Sequence, residues 1–211
     1  MAVPAKVPLL LVGATATSGL GIFTLRGLFA SGEKKSIAFF LNTDLSKRVI
    51  SKEDDSHWTK SAEAYKGSKN DVWNLGKEVS ERIRNVCKEK LEFKVSGIDS
   101  DEYKNFISYC TRDTVISDLL KDWKETILSK NEGAGTKEWK GAWRRYIEDN
   151  KKLAVPNVWG VDNFDSIKDK VDQDAPESFR DRCESNLSSK DIFNMTLFEN
   201  VKSWCTQPKV Q

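Results

Sequence analysis

Residues 36–111 of this 211-residue chain resemble residues 114–206, motif by motif and in the same order. Val49-Ile50-Ser51-Lys52 matches Ile127-Leu128-Ser129-Lys130 at an offset of 78. Trp58 and Tyr65 match Trp139 and Tyr146 at an offset of 81, and Asp71-Val72-Trp73 matches Asn157-Val158-Trp159 at 86. Cys87 matches Cys183 at 96, and Ser108-Tyr109-Cys110-Thr111 matches Ser203-Trp204-Cys205-Thr206 at 95. Chance supplies any one of these, but hardly five in order. The pattern predicts a tandem duplication. The expected fold is mostly α: an N-terminal membrane helix followed by two tandem-duplicated helical units, divided as 1–31, 32–112 and 113–211.

Helix is expected because prolines are few after residue 33 and apolar residues recur every three or four positions. Val72, Leu75, Val79, Ile83, Val86 and Cys87 form one such stripe. Trp139, Trp143, Tyr146 and Ile147 form a second, and Val115, Leu119, Leu120 and Trp123 a third. Asp55-Ser56 marks a helix start, since a short oxygen-bearing side chain caps the first N–H groups. Leu91 to Val95 alternates like a strand, but its counterpart around Leu187-Ser188-Ser189 does not, so it is read as a connection. Glu132 to Thr136 reads as a loop.

Val7 to Leu25 is a run of 19 uncharged residues between Lys6 and Arg26. As a helix it would span roughly 28 Å, close to a bilayer's hydrocarbon thickness. The expectation is a membrane anchor through residues 7–25. A signal peptide cleaved near Ala30-Ser31-Gly32, giving a secreted body, and a buried soluble helix are the alternatives. Gly13, Gly19 and Gly21 lack the spacing of a nucleotide-binding loop.

Three aromatic positions recur in both halves: Trp58 with Trp139, Trp73 with Trp159, and Tyr109 with Trp204. Recurrent, helix-spaced aromatics are expected as core anchors, with a groove for peptide, lipid or sugar as the alternative. Each cysteine has an apolar residue four positions earlier (Ile83, Phe106, Phe179, Val201), which places the thiol on the core side of a helix. Reduced core cysteines and disulfides both fit that placement. If the ancestral unit carried one bond, copying it selects Cys87–Cys110 and Cys183–Cys205 from the three possible pairings. Disulfides would require an oxidising location and a body outside the cytoplasm. The flanking charges, with Arg26, Lys34 and Lys35 after the apolar run, lean weakly the other way.

The 34 basic residues stand against 32 acidic ones, which excludes a nucleic-acid surface built on net charge. One histidine, His57, leaves little basis for a metal site or a His-dependent triad. The acidic pairs Asp54-Asp55, Asp99 with Asp101, and Asp172 with Asp174 lie among lysines and read as solvated loops. No catalytic, cofactor-binding or metal-binding residue is expected.

An apolar N-terminal segment followed by two Trp/Tyr helical units, each closing on aromatic-Cys-Thr, resembles the large paralogous families of uncharacterised proteins in hemotropic mycoplasmas. The resemblance implies a membrane-associated surface protein involved in antigenic variation or contact with host cell or antibody. It brings no assigned catalytic residue. The expected function is therefore a non-enzymatic, membrane-anchored surface protein with its body extracellular. An intracellular membrane-tethered adaptor with free thiols is the alternative, and an enzyme centred near His57 a third.

Overall fold

The computed structural model describes residues 33–208 except 152, 154–156 and 171. The anchor expected at residues 7–25 lies outside the described residues. Among those described, no helix is long and apolar enough to cross a membrane.

The described chain is mostly helical and divides into two compact units, with the break between Asp113 and Thr114. The first runs β1 (Lys35–Ser36), α1 (Ile37–Thr43), β2 (Lys47–Val49), α2 (Asp55–Gly67), α3 (Val79–Lys90), β3 (Lys94–Val95), α4 (Asp101–Cys110) and β4 (Thr111–Asp113). The second runs α5 (Ile116–Asp122), α6 (Lys137–Asn150), α7 (Phe164–Ile167), α8 (Glu177–Leu187) and α9 (Met195–Cys205).

Each unit closes around its own apolar cluster. In the first, α2, α3 and α4 pack through Trp58, Tyr65, Ile83, Phe106 and the fully buried Ile37. In the second, α6, α8 and α9 pack through Trp139, Trp143, Tyr146, Phe179 and Val201. Local chemistry sets the helix ends. Ser36, Ser100, Thr136 and Asn194 each accept the N–H three residues on, which satisfies a donor the helix itself cannot. Helix α2 begins at Asp55, with the capping oxygen supplied by Asp54.

Two expectations are corrected. The stripe from Val72 to Cys87 is not one helix, since α3 starts only at Val79. The Asp71 carboxylate captures the N–H groups of Leu75 (2.7 Å) and Gly76 (2.8 Å), and Asn74 and Gly76 take left-handed backbone, so helix cannot run through. Leu75 is buried nonetheless, while Val72 is exposed. Nor is Leu91 to Val95 merely a connection. Lys94–Val95 pairs antiparallel with Lys35–Ser36, and Ile37 N–H donates to Phe93 O at 3.0 Å. The third stripe holds with Leu120 buried, while Leu119 and Trp123 are partly buried against the same cluster. Residues 131–136 carry no helix or strand, as the loop reading expects.

Candidate functional site

The chemistry-bearing residues fall into the same three groupings in both units. The first is a triad of rings. Tyr65 meets Tyr109 edge-on (centroids 4.9 Å apart) and stacks on Trp73 (5.5 Å), while Trp73 meets Tyr109 at 5.6 Å. Tyr146 likewise meets Trp204 (4.9 Å) and Trp159 (5.7 Å), and Trp159 meets Trp204 at 4.7 Å. Edge-on pairs set the positive ring edge against a negative ring face, which adds to the burial of apolar area. Trp73 and Trp159 are half-buried and the other four rings are buried.

Each triad is fixed by its tyrosine hydroxyl. Tyr65 donates to Asp71 (2.8 Å) and accepts Trp73 N–H (2.8 Å). Tyr146 donates to Asn157 (2.8 Å) and accepts Trp159 N–H (3.2 Å). Burial pushes the Tyr65 phenol up to about 12, with the Asp71 charge adding to it. Burial alone raises Tyr146 to about 12, against a contrary effect of the bond from Trp159. Both phenols are therefore neutral donors near pH 7.

The second grouping is an indole and an arginine holding one extended segment. Trp58 Nε1–H donates to Ser51 O (2.7 Å), and Trp139 Nε1–H to Ser129 O (3.0 Å). Arg84 donates to Lys52 O (3.3 Å) and Arg180 to Lys130 O (3.1 Å). Neither arginine stands out in the sequence by charge or periodicity. A signal existed: each stands three residues before a matched cysteine, at the same offset of 96.

The third grouping is the sulfur bridge. Cys87 bonds Cys110 and Cys183 bonds Cys205, with Cα atoms 5.4 and 5.6 Å apart. All four residues are at most 1% exposed. Beside each bridge the chain bonds back to the closing cysteine, Ile50 N–H to Cys110 O (3.0 Å) and Leu128 N–H to Cys205 O (2.9 Å).

The acidic residues have structural tasks. Asp54 caps α2 and lies 2.8 Å from His57 Nδ1. Burial alone would raise its carboxyl, but hydrogen bonds from the His57 ring and backbone outweigh this and hold it below the ordinary value. Asp55 pairs with Arg84 (2.5 Å), Asp172 with Arg144 (2.6 Å) and Asp174 with Lys140 (3.2 Å). Asp101 sits in the first turn of α4, where it complements the helix dipole. Among the described residues no group of three or more His, Cys, Asp or Glu converges as metal ligands do.

Two of the clefts among the described residues lie on the second unit. One, of about 390 Å³, is bordered by Arg145, Lys202, Glu125 and Thr206, and the other, of about 210 Å³, by Trp139, Lys130, Arg180 and Leu187. Their arginines are already committed to main-chain carbonyls, Arg145 to Ser203 O and Thr206 O at 2.7 Å each. Burial also pushes Arg145 below its usual value.

The Asp71/Asn157 difference yields a pH test. Bonds from Gly76 N–H, Tyr65 O–H and Leu75 N–H, in that order, hold the Asp71 carboxyl below its usual value. A folded-state value below the unfolded one means the contribution is present above about pH 4 and lost as pH falls through the folded value. Acid should therefore release the Leu75 and Gly76 amides to hydrogen exchange. The Val161 amide, which donates to the non-titrating Asn157 at 2.7 Å, should not respond in that range. Parallel release of all three amides would refute the assignment.

No known protein family, curated protein or solved structure matches this chain.

Proposed function

We propose that this chain is a non-enzymatic, membrane-anchored surface protein whose helical body arose by tandem duplication. It belongs, on this proposal, with the paralogous surface proteins of hemotropic mycoplasmas. Residues 7–25 anchor it, and the body faces the exterior, where it contacts host cell or antibody.

The supporting observation is that most of the matched rings and all four matched cysteines hold the interior, with the indole–serine bond and the arginine clamp beside them. Two disulfides in so short a span fit an oxidising exterior. A fixed interior tolerates change outside it, because surface substitutions away from such features seldom exceed about 0.5 kcal/mol. That suits a protein whose exterior varies.

Protease added to intact cells should cut the body. A body left whole on intact cells yet cut after lysis would overturn the outward placement. Mass measurement with alkylation should find no reactive thiol before reduction and four after it. Four thiols alkylated without reductant would favour the intracellular adaptor instead.

A further inference from the structure

We infer that the β1–β3 edge of the first unit is a bilayer-contact surface, recognising anionic lipid headgroups beside the chain's own anchor. The inference rests on the proposed anchor but concerns residues of the body. Phe39 and Phe93 are large apolar rings 38% and 46% exposed, Phe39 also meeting the buried Phe40 edge-on at 5.4 Å. They flank the short ladder in which Lys35 pairs with Val95 and Ser36 with Lys94. Lysines accompany both rings, with Lys35 Nζ 5.9 Å from the Phe39 centroid and Lys90 Nζ 4.9 Å from that of Phe93. Lys94 and Lys34 are exposed nearby in the chain. Glu33 pairs with Lys35 at 2.8 Å, so part of this charge is offset locally.

Aromatic rings among lysines suit the headgroup layer, where apolar rings enter the acyl boundary and ammonium groups meet anionic lipid. Position agrees with composition. Lys35 follows Arg26 by nine positions, so the patch lies within about 30 Å of the end of the apolar run.

The second unit supplies the control. Its Ile116 N–H bonds Ser189 O at 3.0 Å, just as Ile37 N–H bonds Phe93 O. Counting from those anchors, Phe39, Phe93, Lys35 and Lys90 correspond to Asp118, Ser189, Thr114 and Asn186. The same main-chain frame therefore closes without the rings or those two lysines. At these matched positions only the first unit carries them; the second exposes a ring, Phe193, four residues past Ser189.

The test uses the full chain reconstituted in phosphatidylcholine vesicles with or without phosphatidylglycerol. Benzoylphenylalanine replaces Phe93 or, separately, Ser189. After illumination, lipid adducts should form at least ten-fold more from position 93 than from position 189. Omitting phosphatidylglycerol, or introducing Lys35→Thr with Lys90→Asn, should cut the yield at 93 several-fold. These two changes adopt residues that the second unit already accommodates, and circular dichroism checks that the fold persists. Equal yields at both positions, or a yield at 93 indifferent to phosphatidylglycerol, would overturn the inference. An alkaline carbonate wash separates the two failures. A chain that stays with the vesicles but gives no adduct sinks the contact surface alone. A chain that washes off sinks the anchor, and the contact surface with it.

Discussion

Replacing Cys183 and Cys205 together by alanine should destabilise residues 114–208 by about 3 kcal/mol. The bridge spans 22 residues, and closing a loop of that size in the unfolded chain restricts it by about that amount in a chain-entropy treatment. Loss of two well-packed buried sulfurs adds to the effect, since their neighbours Phe179 and Val201 are fully buried. Hydrogen exchange should register the loss first at the amides of α8 and α9, the two helices the bridge joins. The Cys87–Cys110 pair, spanning 23 residues, should give a loss of similar size between α3 and α4. A variant that denatures in urea at the same midpoint as the parent would refute the estimate.

The order of the cysteines in the two halves selects this pairing once they are oxidised, whereas spacing leaves reduced thiols equally open; their burial is the legible part. Each cysteine follows an apolar residue by four positions, and Ile83, Phe106, Phe179 and Val201 are indeed fully buried. Spacing cannot show which carbonyl a side chain meets, and that is where the reading ran out. Arg84 and Arg180 look like ordinary surface cations until the backbone brings Lys52 O and Lys130 O within reach. The interruption before α3 was hidden for a related reason. An apolar stripe at helical spacing says nothing of Asp71 drawing two amides away from the helix. The alternation of Leu91 to Val95 does signal a strand, but the lack of it around Leu187-Ser188-Ser189 argues for a connection, and the strand forms in the first unit regardless.

The second large effect concerns a ring with no aromatic counterpart in the first unit. Trp143 is fully buried, stacked on Tyr146 at 5.6 Å and set against Phe164 and Phe179 at 6.1 and 5.3 Å. At the offset that relates Trp139 to Trp58, its place in the first unit is taken by Ala62. Trp143→Ala should cost about 3–5 kcal/mol, from lost burial together with the cavity left behind. Trp143→Phe should cost much less. The indole Nε1–H is buried without a hydrogen-bond partner among the described residues, so removing it also removes an unsatisfied donor. Thermal unfolding of the two variants side by side checks the ordering. Equal losses would mean that the indole N–H is satisfied, for instance by a buried water. Ala62→Trp is no remedy in the other direction, because overfilling a closed core forces side chains off their rotamers.

Unit-specific differences of this kind show how much the frame tolerates inside as well as outside. Ser61 hydroxyl donates to Tyr109 O in the first unit. In the second, the residue at that offset is Ala142, and the Arg145 guanidinium binds the Ser203 and Thr206 carbonyls of the corresponding segment. Different side chains thus satisfy the same stretch of backbone.

The Cys87–Cys110 bridge encloses the exposed turn that carries Phe93 and Lys94. A single nick anywhere between those two half-cystines would leave both fragments tethered, and the second unit holds its own 184–204 stretch in the same way. A cut beside the exposed Phe93 or Phe193 would therefore not by itself shed any part of the molecule.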